Sequence, residues 1–320
     1  MTQPSGTPGI GLSLPTWPRA DGTMTTWPEM RVMARDAEAL GVDRLWVADH
    51  LVRVLPSGRR VDFRECWTIL TATAEATSRI GIGPLVASTG FRNPGLLARM
   101  ADTLSEVSGG RLVLGLGSGV PATDTSWRMF GYDAERHVGR FEASVEVVAR
   151  LLRGETVTFN GDGVRLDGAS LRAPRDDDTA LGTDRTPVWV AAKGPRTMAV
   201  AARWADAVNL NAPLATPEGV AGLAALAAEA CRRVGRDPAT LELTGWGRVA
   251  LGEGGIGAPR PGWLAGPPEA IADTLRAMAG VGLRHIALYI GLDDDASPLP
   301  ALTPRALDRL APVLEALHAA

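Results

Sequence analysis

RLVLGLGSGVPATD, residues 111–124, is the stretch from which the fold is predicted. Its apolar run 112–116 has the length and composition of a strand buried on both faces, as in a parallel sheet. The run ends at Gly-Ser-Gly, residues 117–119, where the glycines let a ligand approach the backbone. The spacing is not a dinucleotide fingerprint, because the third glycine of G-x-G-x-x-G would fall on Val120. The stretch alone allows either a phosphate-binding turn or a plain turn at a strand end.

The same order of elements recurs along the 320 residues: apolar strand, loop, amphipathic helix, glycine. Eight helices alternate with eight predicted strands, which are 10–14, 44–47, 80–87, 112–116, 187–191, 207–210, 241–251 and 285–290. Strict alternation predicts a parallel sheet, and eight units predict a closed (β/α)8 TIM barrel. The alternative is a doubly wound open sheet, but this would need short or charged edge strands, which the sequence does not show.

The whole chain, 1–320, is predicted to form a single domain. Residues 155–186 interrupt the alternation between helix 4 and strand 5, and they predict an insertion consisting of a small hairpin and a charged loop. This insertion is too short for a core of its own. Residues 1–8 are expected to form a flexible tail, and the Gly/Pro-rich segment 252–266 is expected to be a mobile loop.

Composition narrows the class of protein. The net charge is -3 with both signs scattered along the chain, which argues against a nucleic-acid partner or an anionic membrane surface. No apolar run approaches the ~20 residues of a membrane helix, and the N-terminus lacks a signal region. The two cysteines lie far apart in sequence, which favours a reducing compartment over a disulfide framework. We therefore expect a cytoplasmic protein that acts on a small molecule.

The active site of such a barrel lies in the loops at the carboxyl ends of its strands. Of the four histidines, His50 alone lies at that end, directly after Asp49. A strand-end Asp-His pair can be structural or can move a proton, since imidazole titrates near neutral pH. The sequence shows neither paired histidine ligands for a metal nor a G-x-S-x-G elbow. Other residues predicted at this mouth are Ser88, Arg92, Ser118, Gly119, Thr123, Asp124, Asn209 and Asn211.

The loop after strand five is the best candidate for binding a phosphate. Gly194 allows close approach to the amides of the following helix, and Lys193 and Arg196 add positive charge. The alternative is an ordinary helix cap with two solvated basic side chains. Trp17, Trp127 and Trp246 could wall a planar cofactor, although tryptophans more often fill core.

Four blocks of sequence, taken in order, resemble the bacterial luciferase-like superfamily. They are WVADHL (46–51), GPLVASTGFRNPGLLARMADTLSEVSGGRLVLGLGSG (83–119), VWVAAKGPRTMAVAARWADAVNLNA (188–212) and GWLAGPPEAIADTLRAMAGVGLRHI (262–286). The resemblance implies a TIM-like barrel with an insertion after the fourth helix and a cofactor that is either FMN or the deazaflavin F420. The Asp-His pair and the Gly-Pro loop after strand five are similar to the F420-dependent branch.

The resemblance also implies roles for individual residues. Asp49 and His50 would lie beside the deazaflavin ring, with Ser88 in the same mouth. The remaining implied contacts are to the side chain of the cofactor and its phosphate, from Ser118, Gly119, Thr123, Lys193, Gly194, Arg196 and Thr197. A non-prolyl cis peptide is implied within residues 83–86. Val120 stands where sugar-phosphate dehydrogenases of the family have a glutamate acid, which argues against glucose 6-phosphate as the substrate.

These observations favour an F420-dependent oxidoreductase that transfers a hydride between deazaflavin C5 and a small organic substrate, with His50 moving a proton. The main alternative is an FMN-dependent luciferase-like monooxygenase that uses O2. A third hypothesis is a flavin-binding protein without catalysis. The few fixed charges expected at the mouth favour a moderately apolar substrate. A homodimer is expected from the family alone.

Overall fold

The structure is a computed structural model that describes residues 6–19, 21–55, 57–171, 185–292 and 302–319. It confirms the TIM barrel. The strands are β1 (Gly9–Ser13), β2 (Arg44–Val47), β3 (Val52–Val54), β4 (Arg60–Asp62), β5 (Gly81–Pro84), β6 (Ala87–Ser88), β7 (Leu114–Gly117), β8 (Val157–Gly161), β9 (Val164–Ala169), β10 (Val188–Ala192), β11 (Ala207–Pro213), β12 (Glu242–Leu251) and β13 (Leu283–Leu292).

The helices cover the outside of the barrel. They are α1 (Trp27–Ala39), α2 (Cys66–Ala76), α3 (Pro94–Val107), α4 (Ser126–Met129), α5 (His137–Leu152), α6 (Pro195–Trp204), α7 (Pro217–Arg233), α8 (Pro268–Gly280) and α9 (Pro304–His318). Most of the long helices carry proline in the first turn, where its missing N–H costs no hydrogen bond. Each buries one stripe against the strands; α9, for example, buries Leu307, Leu310, Leu314 and Leu317.

The sheet is parallel and runs around the barrel in the order β5-β2-β1-β13-β12-β11-β10-β7-β6. The first and last strands in this order, β5 and β6, are two segments of the single strand predicted at 80–87. Its first segment, β5, pairs with β2, and its second segment, β6, pairs with β7. A bridge between Ile82 and Leu112 joins the first segment to the fourth strand of the barrel. The division supplies the bulge that Pro84 and the neighbouring glycines predicted.

The amino end of the barrel interior is filled by aromatic side chains. Trp46 donates a hydrogen bond from Nε1 to His285 Nε2 at 3.2 Å, and both rings contact Trp189. Burial, followed by the charge of Arg44, lowers the pKa of His285 well below its usual value, so the imidazole is neutral. This end of the barrel is packed core, as expected for a histidine at the stability face.

Two elements were not predicted from the sequence. Residues 51–62, expected as a loop, contain the antiparallel hairpin β3–β4, and the short helix α4 precedes α5. The hairpin predicted in the insertion is present as β8–β9, whereas residues 172–184 of that insertion lie outside the described residues. Residues 1–5 of the predicted tail also lie outside them.

The predicted mobile loop 252–266 contains ordered backbone contacts. Leu264 donates its N–H to Arg248 O and accepts from Ala250 N, each at 2.8 Å, so the loop returns along the end of β12. Its mobility stays a prediction. Within the described ranges no helix is both long and apolar enough to cross a bilayer. Cys66 and Cys231 are buried and free.

Candidate active site

A cavity of about 510 Å³ opens at the carboxyl ends of the strands. This volume lies within the usual range for small-molecule and cofactor sites. Of the residues predicted at this mouth, the cavity is lined by Asp49, His50, Ser88, Ser118, Gly119, Thr123, Asp124, Asn209, Asn211 and Trp246, whereas Arg92 does not line it. Residues that were not predicted there are Arg53, Leu85, Val86, Arg248 and Tyr289. The mouth therefore combines the ends of most barrel strands, as the fold requires.

His50 is oriented by a carboxylate from a different strand. Its Nδ1 lies 2.6 Å from Oδ2 of Asp124, in the loop after β7. Burial raises the pKa of Asp124, but hydrogen bonds from His50 and Ser126 lower it more, so that pKa lies below its ordinary value. An ionised Asp124 can only accept, so Nδ1 of His50 is the donor and carries the hydrogen. The carboxylate that is adjacent to His50 in sequence, Asp49, is therefore not its hydrogen-bond partner; that partner is Asp124.

Asp49 is instead part of a buried ion pair. Its carboxylate receives Arg92 Nη1 at 2.6 Å, Arg92 Nη2 at 3.1 Å and the Ser88 amide at 2.9 Å. Burial raises the pKa of Asp49, and the Arg92 guanidinium opposes that rise. Arg92 also contacts Glu65 at 2.9 Å. The hydrogen bonds to the Asp49 carboxylate come from Arg92 and Ser88, which together fix its position at the mouth.

Ser88 supplies a polar group without a protein partner. Its hydroxyl oxygen is buried, lines the cavity, and makes no hydrogen bond within the described residues. The same oxygen lies against the Cα of Gly119, where a methyl group would approach it to 2.9 Å. Gly119 has φ +72°, a conformation that glycine adopts without strain. A buried hydroxyl in this state predicts a polar atom of a ligand at this wall.

The wall behind this region is formed by backbone. The peptide bond between Leu85 and Val86 is cis, within the stretch for which the family resemblance implied it. Side chains on Gly115 and Gly117 would collide with Pro84 O and with Val86 respectively. Both glycines are therefore required by the close approach of the divided third strand to β7.

The predicted phosphate loop lies at the end of β10, outside the set of cavity-lining residues. Gly194 caps α6, and its amide and that of Lys193 contact the Thr197 hydroxyl at 3.3 and 3.2 Å. Arg196 is mostly exposed and forms a two-point ion pair with Glu142 at 2.5 and 2.8 Å. A methyl group added to Gly194 would meet no atom within 4 Å. The backbone at this helix start is open, whereas the Arg196 charge is already neutralised.

Of the three tryptophans predicted as possible walls for a planar cofactor, only one lines the cavity. Trp246 lines the cavity and contacts Tyr289 at a ring-centroid distance of 5.8 Å. Trp17 and Trp127 are buried core residues and do not line it. Within the described part of the chain, no group of three or more His, Cys, Asp or Glu side chains is arranged to hold a metal ion.

Sequence reasoning missed two basic residues of the cavity, Arg53 and Arg248. Arg53 lies on the hairpin that was not predicted. Arg248 lies inside a predicted strand, but the sequence did not show which of that strand's side chains face the barrel interior. The one available signal was a charged residue in an otherwise apolar barrel strand, which is costly unless it faces a polar cavity.

Comparison with known proteins agrees with this geometry. The family model described as luciferase-like monooxygenase matches residues 10–254. The chain therefore belongs to the luciferase-like monooxygenase family. The resemblance seen in the four sequence blocks is thus confirmed.

Among its relatives, the 5,10-methylenetetrahydromethanopterin reductase of Methanolobus tindarius is 28% identical over 67% of this chain and 58% of its own. An F420-dependent glucose-6-phosphate dehydrogenase of Mycobacterium avium is 32% identical over 56% of this chain and 51% of its own. The chain thus spans little more than half the length of these relatives.

A solved structure of an F420-dependent secondary alcohol dehydrogenase in complex with an F420-acetone adduct superimposes with a TM-score of 0.74. The alignment covers 98% of this chain and 99% of that chain at 18% identity. At this level of identity the likeness shows the fold.

Proposed function

We propose that the protein is an F420-dependent oxidoreductase that transfers a hydride between deazaflavin C5 and a small organic substrate. The observation that carries the proposal is the ordered His50–Asp124 pair in the cavity of a chain whose relatives include F420-dependent enzymes. When bound, F420 supplies a two-electron carrier, so the protein has to align it with the substrate and move a proton. The homodimer and the cytoplasmic location stay predictions.

The residues present fit a planar ring with an anionic tail. The buried Ser88 hydroxyl lacks a partner in the described chain, and the backbone at Gly194 is open to an approaching group. We expect Asp49, His50 and Ser88 to contact the ring. The tail would lie along Ser118, Gly119 and Thr123 toward the open start of α6 at Lys193 and Gly194. Thr197 would then act indirectly, because its hydroxyl is engaged with the loop backbone.

His50 is the residue we assign to proton movement. With Nδ1 donating to Asp124, the neutral ring keeps Nε2 as an acceptor, and the protonated ring offers the same atom as a donor. About a quarter of the His50 side chain is exposed, compared with 2% for Asp124, so the imidazole is the more accessible member of the pair. Asp124 stabilises the imidazolium and fixes its orientation, which is the usual role of a carboxylate behind a histidine base.

A second candidate is oxidation by O2 with FMN, favoured by the description of the matching family model. The same His50–Asp124 pair could donate a hydrogen bond to a bound oxygen species in that case. Oxygen uptake in the presence of reduced FMN distinguishes the two candidates. A protein that binds either cofactor tightly but turns over no substrate would instead support binding without catalysis.

The first test is a titration of the apoprotein with F420 and, separately, with FMN, followed by fluorescence. Tight binding of F420 that weakens in a Lys193→Ala/Arg196→Ala variant would support both the cofactor and its phosphate loop. Because Arg196 is already paired with Glu142, we expect Lys193→Ala alone to account for most of the change. Tight binding of FMN alone would contradict the proposal.

A further inference from the structure

Two guanidinium groups line the cavity without a carboxylate partner. Arg53 and Arg248 form no ion pair within the described residues, whereas the other charged groups of the cavity, Asp49 and Asp124, are each paired. A cleft in which positive charges are left unneutralised concentrates anions. The cavity is therefore asymmetric: its acidic groups are satisfied and its basic groups are not.

Arg53 is held by the hairpin β3–β4. The backbone of its neighbour Val52 is tied to α4, since Val52 N donates to Ser126 Oγ at 2.8 Å and Val52 O accepts from Thr125 Oγ1 at 3.0 Å. The Nε atom of Arg53 is buried and has no hydrogen-bond partner in the described chain. A buried guanidinium N–H without a partner is costly, and a ligand acceptor would remove that cost.

Arg248 is held by aromatic rings. Its guanidinium carbon lies 5.5 Å from the ring centroid of Trp246 and 5.6 Å from that of Trp263. Its backbone carbonyl accepts from Leu264 N, so the returning loop fixes this part of β12. Stacking restricts the side chain while leaving the N–H donors of the guanidinium available.

The two arginines meet at Tyr289. Arg248 and Tyr289 are register partners on β12 and β13, and Tyr289 lines the cavity. Burial raises the pKa of Tyr289, and the opposing causes are a hydrogen bond with Ser13 and then the charges of Arg248 and Arg53, so both guanidinium groups act on this phenol. They thus lie on the same side of the cavity.

That side is separated from the predicted cofactor phosphate loop. Around the barrel, β12 and β13 are followed by β1 and β2, and Arg53 follows β2. The phosphate loop follows β10, which is two strands from β12 and three strands from β2 if β5 and β6 are counted as one. The two basic regions are therefore separate, and the cofactor tail is not needed to explain the Arg53 and Arg248 charges.

We propose that Arg53 and Arg248 bind an anionic group of the substrate, a carboxylate or a phosphate, and so orient its reacting carbon toward the cofactor. This inference rests on the proposed function for the orientation, whereas the anion subsite itself stands without it. Guanidinium groups donate paired hydrogen bonds to both kinds of anion. The substrate class is accordingly an organic anion, not the moderately apolar molecule expected from the sequence.

The test uses three probes that share a benzene ring: benzoate, phenyl phosphate and neutral benzamide. Calorimetry with the F420-loaded protein should give binding of at least one anion that is about 10-fold or more tighter than binding of benzamide. Whichever anion binds more tightly distinguishes a carboxylate from a phosphate substrate. Equal binding of all three probes, or none, would overturn the subsite.

Matched variants locate the effect. Arg53→Met and Arg248→Met should each weaken anion binding about 10-fold or more, whereas Arg260→Met should not. Arg260 is a suitable control because it stacks on Trp263 at 5.1 Å but does not line the cavity. An equal loss in all three variants, or no loss in the first two, would contradict the inference.

F420 affinity is measured in the same variants. An F420 affinity that falls in parallel with anion affinity would mean that the two arginines serve the cofactor, and this would also overturn the subsite. If the wild-type protein binds no F420, the proposed function fails. The anion titration is then repeated with the apoprotein, and its result alone decides the anion subsite. The two failures are thus separable.

Discussion

The end of β2 and the start of α6 were both expected to hold the cofactor, yet they are built in different ways. At the end of β2, Asp49 and His50 are fixed by hydrogen bonds with Arg92 and Asp124 respectively. At the start of α6, Lys193 forms no side-chain ion pair within the described residues, and the loop offers mainly backbone. Side chains are thus held by protein partners at one side, whereas the other side, where we propose that the cofactor phosphate binds, offers open backbone.

The largest effect is expected for His50→Ala. Loss of a general acid–base group lowers turnover by about 10²–10⁴-fold. F420 affinity should change little, because no tail contact is assigned to this side chain. Turnover is followed by F420 absorbance with a substrate found by screening organic anions. The matched variant Lys193→Ala should show the reverse pattern, with weaker F420 binding and nearly normal turnover at saturation. Near-normal turnover of His50→Ala would contradict the assignment of proton movement to the end of β2.

The next largest effect concerns the fold. Arg92→Met leaves the Asp49 carboxylate buried and uncompensated, which should lower the free energy of unfolding by about 3–5 kcal/mol. Denaturant unfolding measures this change. The comparison is Arg196→Met, which removes an exposed ion pair and should leave the unfolding midpoint unchanged. Similar losses in the two variants would mean that the end of β2 is no more rigidly built than the start of α6.

The Asp124 carboxylate adds a dependence on pH. Burial raises its pKa, but hydrogen bonds from His50 and Ser126 bring it below the ordinary value, so the unfolded chain binds the proton more readily. Its stabilisation is therefore complete above about pH 5 and is lost as pH falls through and below about 4. Asp124→Asn should be less stable than wild type by about 1–3 kcal/mol at neutral pH, and the gap should narrow toward pH ~3. A gap independent of pH would show that the charge of Asp124 is unimportant.

The smallest effect on the fold is expected for Gly194→Ala. The φ of Gly194 is −111°, and its Cα faces open space, so alanine fits the free protein without strain. The melting temperature should be unchanged. F420 affinity should fall several-fold, because the methyl group would occupy the approach to the helix amides. Gly222→Ala in α7 is the control, because a methyl group there would also meet no atom within 4 Å and the residue does not line the cavity. An unchanged F420 affinity in Gly194→Ala would argue that the phosphate binds elsewhere.

Strand periodicity was sufficient to predict the barrel, because each strand and helix carries its own burial pattern. β2, for example, has the predicted bounds 44–47. The hairpin β3–β4 was missed because its strands are three residues long and mostly exposed, and nothing in their composition separates them from a loop. Local patterns do not encode such short pairs, since tertiary contacts to α4 hold them.

Side-chain partners were predictable only in part. Adjacency in sequence placed His50 and Asp49 in one mouth, but alternation along an extended backbone directs neighbouring side chains apart. Asp124, 74 residues away, therefore became the partner of His50. For the same reason the sequence did not predict that Arg53 and Arg248 lack a carboxylate partner among the described residues. Which side chains surround them is decided only when distant parts of the chain form the cavity.

The glycines at 115 and 117 have a practical consequence for changing what the protein accepts. A side chain at either position would collide with Pro84 O or with Val86, so substitution there would displace the divided third strand that forms the back of the cavity. The rim is different, because the segments after β2 and β7 meet through Ser126 and Val52. A mutational library aimed at new specificity should therefore leave Gly115 and Gly117 unchanged. It should vary the segments after β2 and β7 together, since a change in one displaces the other.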